Sequence, residues 1–312
     1  MPNYLPEGLL SATAENKNCL KSVYNLQECA TDGKILEARA TMCDSDHNLI
    51  VDLNCMRGII PRTEGALGID VGTTRDIALI SRVNKPVCFK VLAIETDVGG
   101  QPRAILSRRA VQQECMQRFI GRLRPGDIIP ARVTHLEQFG CFVDIGCGIP
   151  SLIPIDAISV SRISHPSDRF SAGDDIFVVV KSVEPSGRIC LSHKELLGTW
   201  EENAALFNTG ETVAGIVRSV EEYGIFIELT PNLAGLAEPR KGVRVGQCAS
   251  VYIKAIIPDK MKVKLIIVDV FDRDDEQVKS ERRNMQYFLS EGHLSSWRYS
   301  STYADKLIET VF

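Results

Sequence analysis

The chain has 312 residues, 44% of them hydrophobic, and a formal net charge of −4. This length suits two or three domains with modest cores, several small units rather than one large one. The acidic balance excludes a protein that holds polyanions by bulk charge, so any nucleic-acid site has to be local.

No apolar run reaches the roughly 18 residues of a membrane span, and MPNYLPEGLL lacks the basic start and apolar stretch of a signal peptide. The expected compartment is the cytoplasm. Within residues 1–32, Leu20, Val23, Tyr24 and Leu26 have helical character, which predicts a short helix covering the end of the domain that follows. Residues 33–109 read as a diverged barrel: GKILEARAT supplies the first strand, NLIVDLNCMRGIIP the second and third, VCFKVLAI the fourth and RAILS the fifth. Inside it GIDVGTT, Gly68 to Thr74, resembles the phosphate-binding hairpin of actin-like kinases and ATPases. The further phosphate and adenosine motifs of that superfamily are missing, and the position predicts a loop between the third and fourth strands.

Residues 110–124 predict a connecting helix, with Val111, Cys115, Met116, Phe119 and Ile120 at helical spacing. Its Arg118, Arg122 and Arg124, with Arg108 and Arg109 before them, form either a basic track or a solvated face. Residues 125–194 hold the complete pattern. An alternating strand from Ile128 to His135 runs into FGCFVDIG, Phe139 to Gly146. SLIPI, then IFVVVKSV from Ile176 to Val183, then RICLS from Arg188 to Ser192 follow. Side chains three apart in a regular strand face opposite ways; a bulge at Gly140 would return Phe139 and Phe142 to one face as a paired platform. The alternative is that the rings fill the barrel.

After a helical linker at 195–208, residues 209–270 repeat the order as GETVAGIVRSV, YGIFIEL, LAGLAEP, ASVYIKAII and KVKLIIV. Tyr223, Gly224 and Phe226 restore the aromatic, glycine, aromatic pattern, and Arg240, Lys241 and Arg244 supply a basic loop. Such internal repetition is the mark of a modular array. Residues 271–312 form a tail, whose DRDDEQVKSERRNMQYFL has helical character. Trp297, Tyr299 and Tyr303 could stack on bases, but terminal aromatics more often pin a tail to its neighbouring domain. The ten cysteines are scattered from Cys19 to Cys248 without a CxxC pair, so they read mostly as reduced, small apolar side chains. No catalytic or metal cluster can be assigned, and no cofactor is expected.

The order in residues 125–194, glycine-acid, strand, FGxFVDIG, strand, glycine-acid, VxVxxV, then GRIxLS, resembles the S-one RNA-binding domain. The domain takes its name from the largest protein of the bacterial small ribosomal subunit, and the resemblance extends over about residues 33–270. It implies a mainly β fold: three tandem five-stranded oligonucleotide-binding barrels joined by short helices, with helical terminal segments. It also implies a binding surface made by two aromatics of the second strand, a histidine ending the third, and acidic and arginine residues around the last strand.

Phe139, Phe142, Glu184 and Arg188 occupy those slots, with Lys181 beside them, while Pro154 stands in the histidine slot. In the third copy Tyr223 and Phe226 match the aromatics, Lys262 takes the arginine slot and Glu238 that of the histidine. In the first copy His47, Ile50 and Pro61 replace the ligand residues and Arg103 alone is retained. The implied function is stacking of single-stranded RNA, messenger RNA at the small ribosomal subunit, without catalysis or a small-molecule substrate. The competing reading is an interaction scaffold with weak or lost RNA binding. Exposure of the four rings discriminates the two.

Overall fold

In the computed structural model, described residues are 4–97, 99–184, 187–272, 285–301, 304 and 307–312. Short helices α1 (Ala14–Cys19) and α2 (Val23–Thr31) open the chain. Each is started by a hydroxyl, of Thr13 or Ser22, that accepts a backbone N–H of the first turn. Where one helix was expected there are two, bridged by a Cys19–Cys29 disulfide. Leu20 and Leu26 are buried, whereas Val23 and Tyr24 face solvent. Asn16 ties α1 to the first barrel, donating to the Glu37 carbonyl and accepting from its N–H, both at 2.8 Å.

The first barrel consists of β1 (Leu36–Cys43), β2 (Leu49–Asp52), β3 (Arg57–Ile60), β4 (Pro86–Thr96) and β5 (Pro102–Ser107). A single helical turn, α3 (Ile77–Ile80), lies between β3 and β4. Helix α4 (Arg108–Arg118) then leads to β6 (Ile128–Glu137), β7 (Gly140–Asp144), β8 (Pro150–Pro154), β9 (Asp175–Val183) and β10 (Ile189–Ser192) of the second barrel. Helix α5 (Trp200–Ala204), with a Thr199–Glu202 capping box, precedes β11 (Thr212–Glu221), β12 (Gly224–Thr230), β13 (Leu233–Ala237), β14 (Cys248–Ile257) and β15 (Lys262–Phe271) of the third. All three barrels are closed and share one strand order, first, second, third, fifth, fourth. The third and fifth strands run parallel, with Gly58 beside Ala104, Leu152 beside Cys190 and Leu236 beside Lys264. Closure removes the sheet edges that a five-stranded meander would expose.

Alternating positions fill each barrel: Leu49, Val51, Phe89 and Leu106 in the first; Cys141, Val143, Val178 and Leu191 in the second; Ile225, Ile227, Val251 and Leu265 in the third. The chain divides into two compact units, residues 1–123 with 130–132 and 144–150, and the remainder. In the first unit the buried Glu7 carboxylate receives the Arg108 guanidinium at 2.7 and 3.0 Å and Arg82 at 3.4 Å. Burial raises the Glu7 pKa, but Arg108 and Arg82 outweigh it and leave the carboxyl below its ordinary value. Arg109 pairs with Glu64 at 2.5 Å. Arg108 and Arg109 therefore serve the fold, and neither the basic track nor the solvated face offered for them describes their role. In the second unit the buried Glu228 is held by buried Arg169 at 2.5 Å and by half-buried Arg218 at 2.9 Å.

Beyond the stretch read as helical, the tail forms β16 (Ser296–Arg298) and β17 (Glu309–Val311), paired antiparallel. Trp297 and Tyr299 are buried in the core of the third barrel, so they pin the tail and cannot stack on bases. Most of the predicted helical stretch, and Tyr303, lie outside the described residues. The GIDVGTT segment is a loop between β3 and β4, as expected. Its hydroxyls turn inward, Thr73 Oγ1 donating to the Gly68 carbonyl at 3.0 Å and Thr74 Oγ1 to that of Leu67 at 2.7 Å.

Candidate nucleic-acid interface

The second and third barrels present the same pair of rings. Phe139 lies in the turn before β7 and is 56% exposed; its ring meets half-buried Phe142 edge-on at 6.0 Å. Tyr223, in the turn before β12 and 69% exposed, meets half-buried Phe226 at 6.2 Å and 85°. Edge-to-face contact is a preferred geometry for aromatic pairs and leaves ring faces open to a base.

The glycine between the rings has a different task from the bulge expected of it. A Cβ on Gly140 would lie 2.4 Å from the Ile153 carbonyl oxygen, and one on Gly224 would lie 2.7 Å from Leu236 Cδ1. The glycine lets the second strand press against the third, while the turn carries the first ring around to the second. In the third barrel the ladder runs unbroken from Gly224 to Phe226, and the skipped residue is Arg218 of β11.

Cations flank the platforms through a bulge that the expected site only half anticipated. In β4, β9 and β14 the pairing with the fifth strand skips one residue: Leu92, Lys181 and Lys254 respectively. A bulge re-aims the extra side chain, here outward. Lys181 was singled out in the sequence; Lys254 was missed, although IFVVVKSV and ASVYIKAII align it with Lys181. Lys264 was missed as well. The register places Phe226 beside Leu236, Leu236 beside Lys264, and Lys264 beside Ala255, next to bulged Lys254. At about 4.8 Å per strand, aromatic, apolar and cationic groups form one outward row about 15 Å long.

The remaining expected residues separate. Lys262 and Lys241 are exposed, as are Glu184 and Arg188 in the turn between β9 and β10. There the Glu184 N–H donates to the Arg188 carbonyl at 2.8 Å. Arg240 donates to the carbonyls of Ile267 and Val268 at 3.1 Å, and Arg244 pairs with Asp272 at 3.2 Å. Arg103 faces Glu95 at 3.4 Å. In the first barrel Ile50 is buried and His47 sits in a left-handed turn, φ 63°, so no ring pair forms. Pro61 and Pro154 each precede a short helical turn that ends the third strand's run. No group of metal-binding side chains occurs among the described residues.

Residues 122–194 match the family model of the S1 RNA binding domain, the S-one domain of the sequence resemblance. The small ribosomal subunit protein bS1 of Staphylococcus haemolyticus (strain JCSC1435) is 30% identical over 287 residues, covering 86% of this chain and 70% of that protein. This chain belongs to the bS1 family. The bS1 of Staphylococcus aureus (strain COL) is 28% identical over 304 residues, 92% of this chain and 74% of its own. A multidomain protein with nucleic acid binding domains from Streptococcus pneumoniae shares 15% identity, over 76% of this chain and 74% of its own, with a TM-score of 0.25. Membership in bS1 is carried by the whole array, since the aligned length far exceeds the single matched domain.

Proposed function

We propose that this bS1-family chain binds single-stranded RNA, messenger RNA at the small ribosomal subunit, by stacking bases on its second and third barrels. The carrying observation is the recurrence of one ring pair at one place in two barrels, each with an exposed leading ring and a bulge-borne lysine nearby. A scaffold that had lost RNA binding would bury those rings; Phe139 and Tyr223 are open. The relatives are named as ribosomal proteins, and we assign no catalysis. Translation places the chain in the cytoplasm. We take 33–109, 125–194 and 209–270 as the working modules, with the first a spacer or protein contact.

Base-aromatic stacking is worth about 1–3 kcal/mol per base, so removing both rings of one barrel should cost about tenfold or more in affinity. The test is fluorescence-anisotropy titration of short single-stranded RNA against the wild type, Phe139→Ala/Phe142→Ala and Tyr223→Ala/Phe226→Ala. Loss in both double variants supports the reading. An absence of saturable wild-type binding at low salt sinks it.

A further inference from the structure

The second barrel carries a third ring. His135, near the end of β6, lies with its ring 6.4 Å from that of Phe142 at an interplanar angle of 27°, nearly parallel, while Phe139 meets the same Phe142 edge-on. Its side chain is 64% exposed, so contact with Phe142 leaves it available. Nε2 lies 2.6 Å from Glu137 Oε1, which orients the ring.

Backbone register, rather than chance, puts it there. In the first barrel the pairing skips Thr41 and sets Met42 opposite Ile50; in the third it skips Arg218 and sets Ser219 opposite Phe226. Thr134 Oγ1 donates to the Phe142 carbonyl at 3.1 Å, as Thr41 Oγ1 does to that of Ile50 at 3.2 Å. His135 is thus the second barrel's counterpart of Met42 and Ser219. Of the three, it alone has a flat ring able both to stack on a base and to hydrogen-bond to it.

We propose that His135 is a base-contacting residue that gives the second barrel a three-ring platform, so that it engages one nucleotide more than the third barrel. This rests on the RNA reading above, and the experiment separates the two. Anisotropy titrations with short single-stranded RNA use the full chain carrying Tyr223→Ala/Phe226→Ala, so that the second barrel reports. His135→Ala and His135→Ser should each weaken binding about fivefold or more, and His135→Phe should recover most of the loss. Reciprocally, Ser219→His in the Phe139→Ala/Phe142→Ala chain should tighten binding by the third barrel. Melting curves should stay unchanged for His135 variants, since the side chain is exposed. Parental affinity in His135→Ala and His135→Ser overturns the proposal while the RNA reading stands. So does a His135→Phe variant as weak as His135→Ala. If the parental chain does not bind at all, the RNA reading fails and carries this inference with it.

Discussion

The first and second barrels share strand order, a bulge in the fourth strand and a buried serine ending the fifth, yet they use the same places for different ends. Where the second has Phe142, the first buries Ile50; where the second bulges Lys181 outward, the first bulges Leu92. The residue after the buried serine is Arg108 in one and His193 in the other. Arg108 is neutralised by Glu7, whereas buried His193 donates from Nδ1 to the Ile158 carbonyl and accepts the Tyr287 hydroxyl at Nε2, both at 2.9 Å. The lattice of backbone positions is therefore conserved within the chain, and the chemistry placed on it decides what each barrel does.

The sharpest way to break this comparison is at the buried exits. Glu7→Gln leaves Arg108 buried without its counter-charge and should cost about 3–5 kcal/mol of stability, read as an early transition in denaturant unfolding. Replacing the pair together by Gln and Met should recover much of that loss.

The second barrel's exit should instead respond to acid. Burial lowers His193 to about 4, reinforced by the Arg169 charge and opposed by the Ile158 carbonyl. As pH falls the unfolded chain takes up this proton first, near pH 6.5. Stability is full above that value and declines toward pH 4, by about 3 kcal/mol in all. Thermal melts of the wild type and His193→Gln across this range test the sign: the decline should flatten in the variant.

A smaller effect is expected at the glycine. Gly140→Ala forces a Cβ against the Ile153 carbonyl and should cost about 1–3 kcal/mol while displacing the ring pair, lowering RNA affinity with stability. The first barrel has Asn48 at the corresponding place, where its side chain accepts from the Arg62 N–H at 2.9 Å, so Asn48→Ala should leave RNA binding unchanged. The smallest effect belongs to the bulges. Lys181→Ala and Lys254→Ala should each reduce the slope of log affinity against log salt by about 0.7, whereas Leu92→Ala should leave it unaltered.

Much of this was legible before any coordinates. Period-two alternation and repeated phrases specified three barrels, because inward and outward positions of a strand differ locally in what they must bury. The ring pairs were legible as an aromatic, glycine, aromatic phrase repeated in two barrels, although strand period alone left open whether the rings faced outward or filled the barrel. Tertiary structure alone decided which cations were already engaged: Arg108 is neutralised by a glutamate 101 residues away, and Arg240 donates to carbonyls of β15. It also decided that Trp297 and Tyr299 are core, that the rings meet through a turn rather than a bulge, and that His135 stands against Phe142. Local pattern records which face a side chain takes, but its partner is set by register between strands, and no single stretch of sequence holds that information.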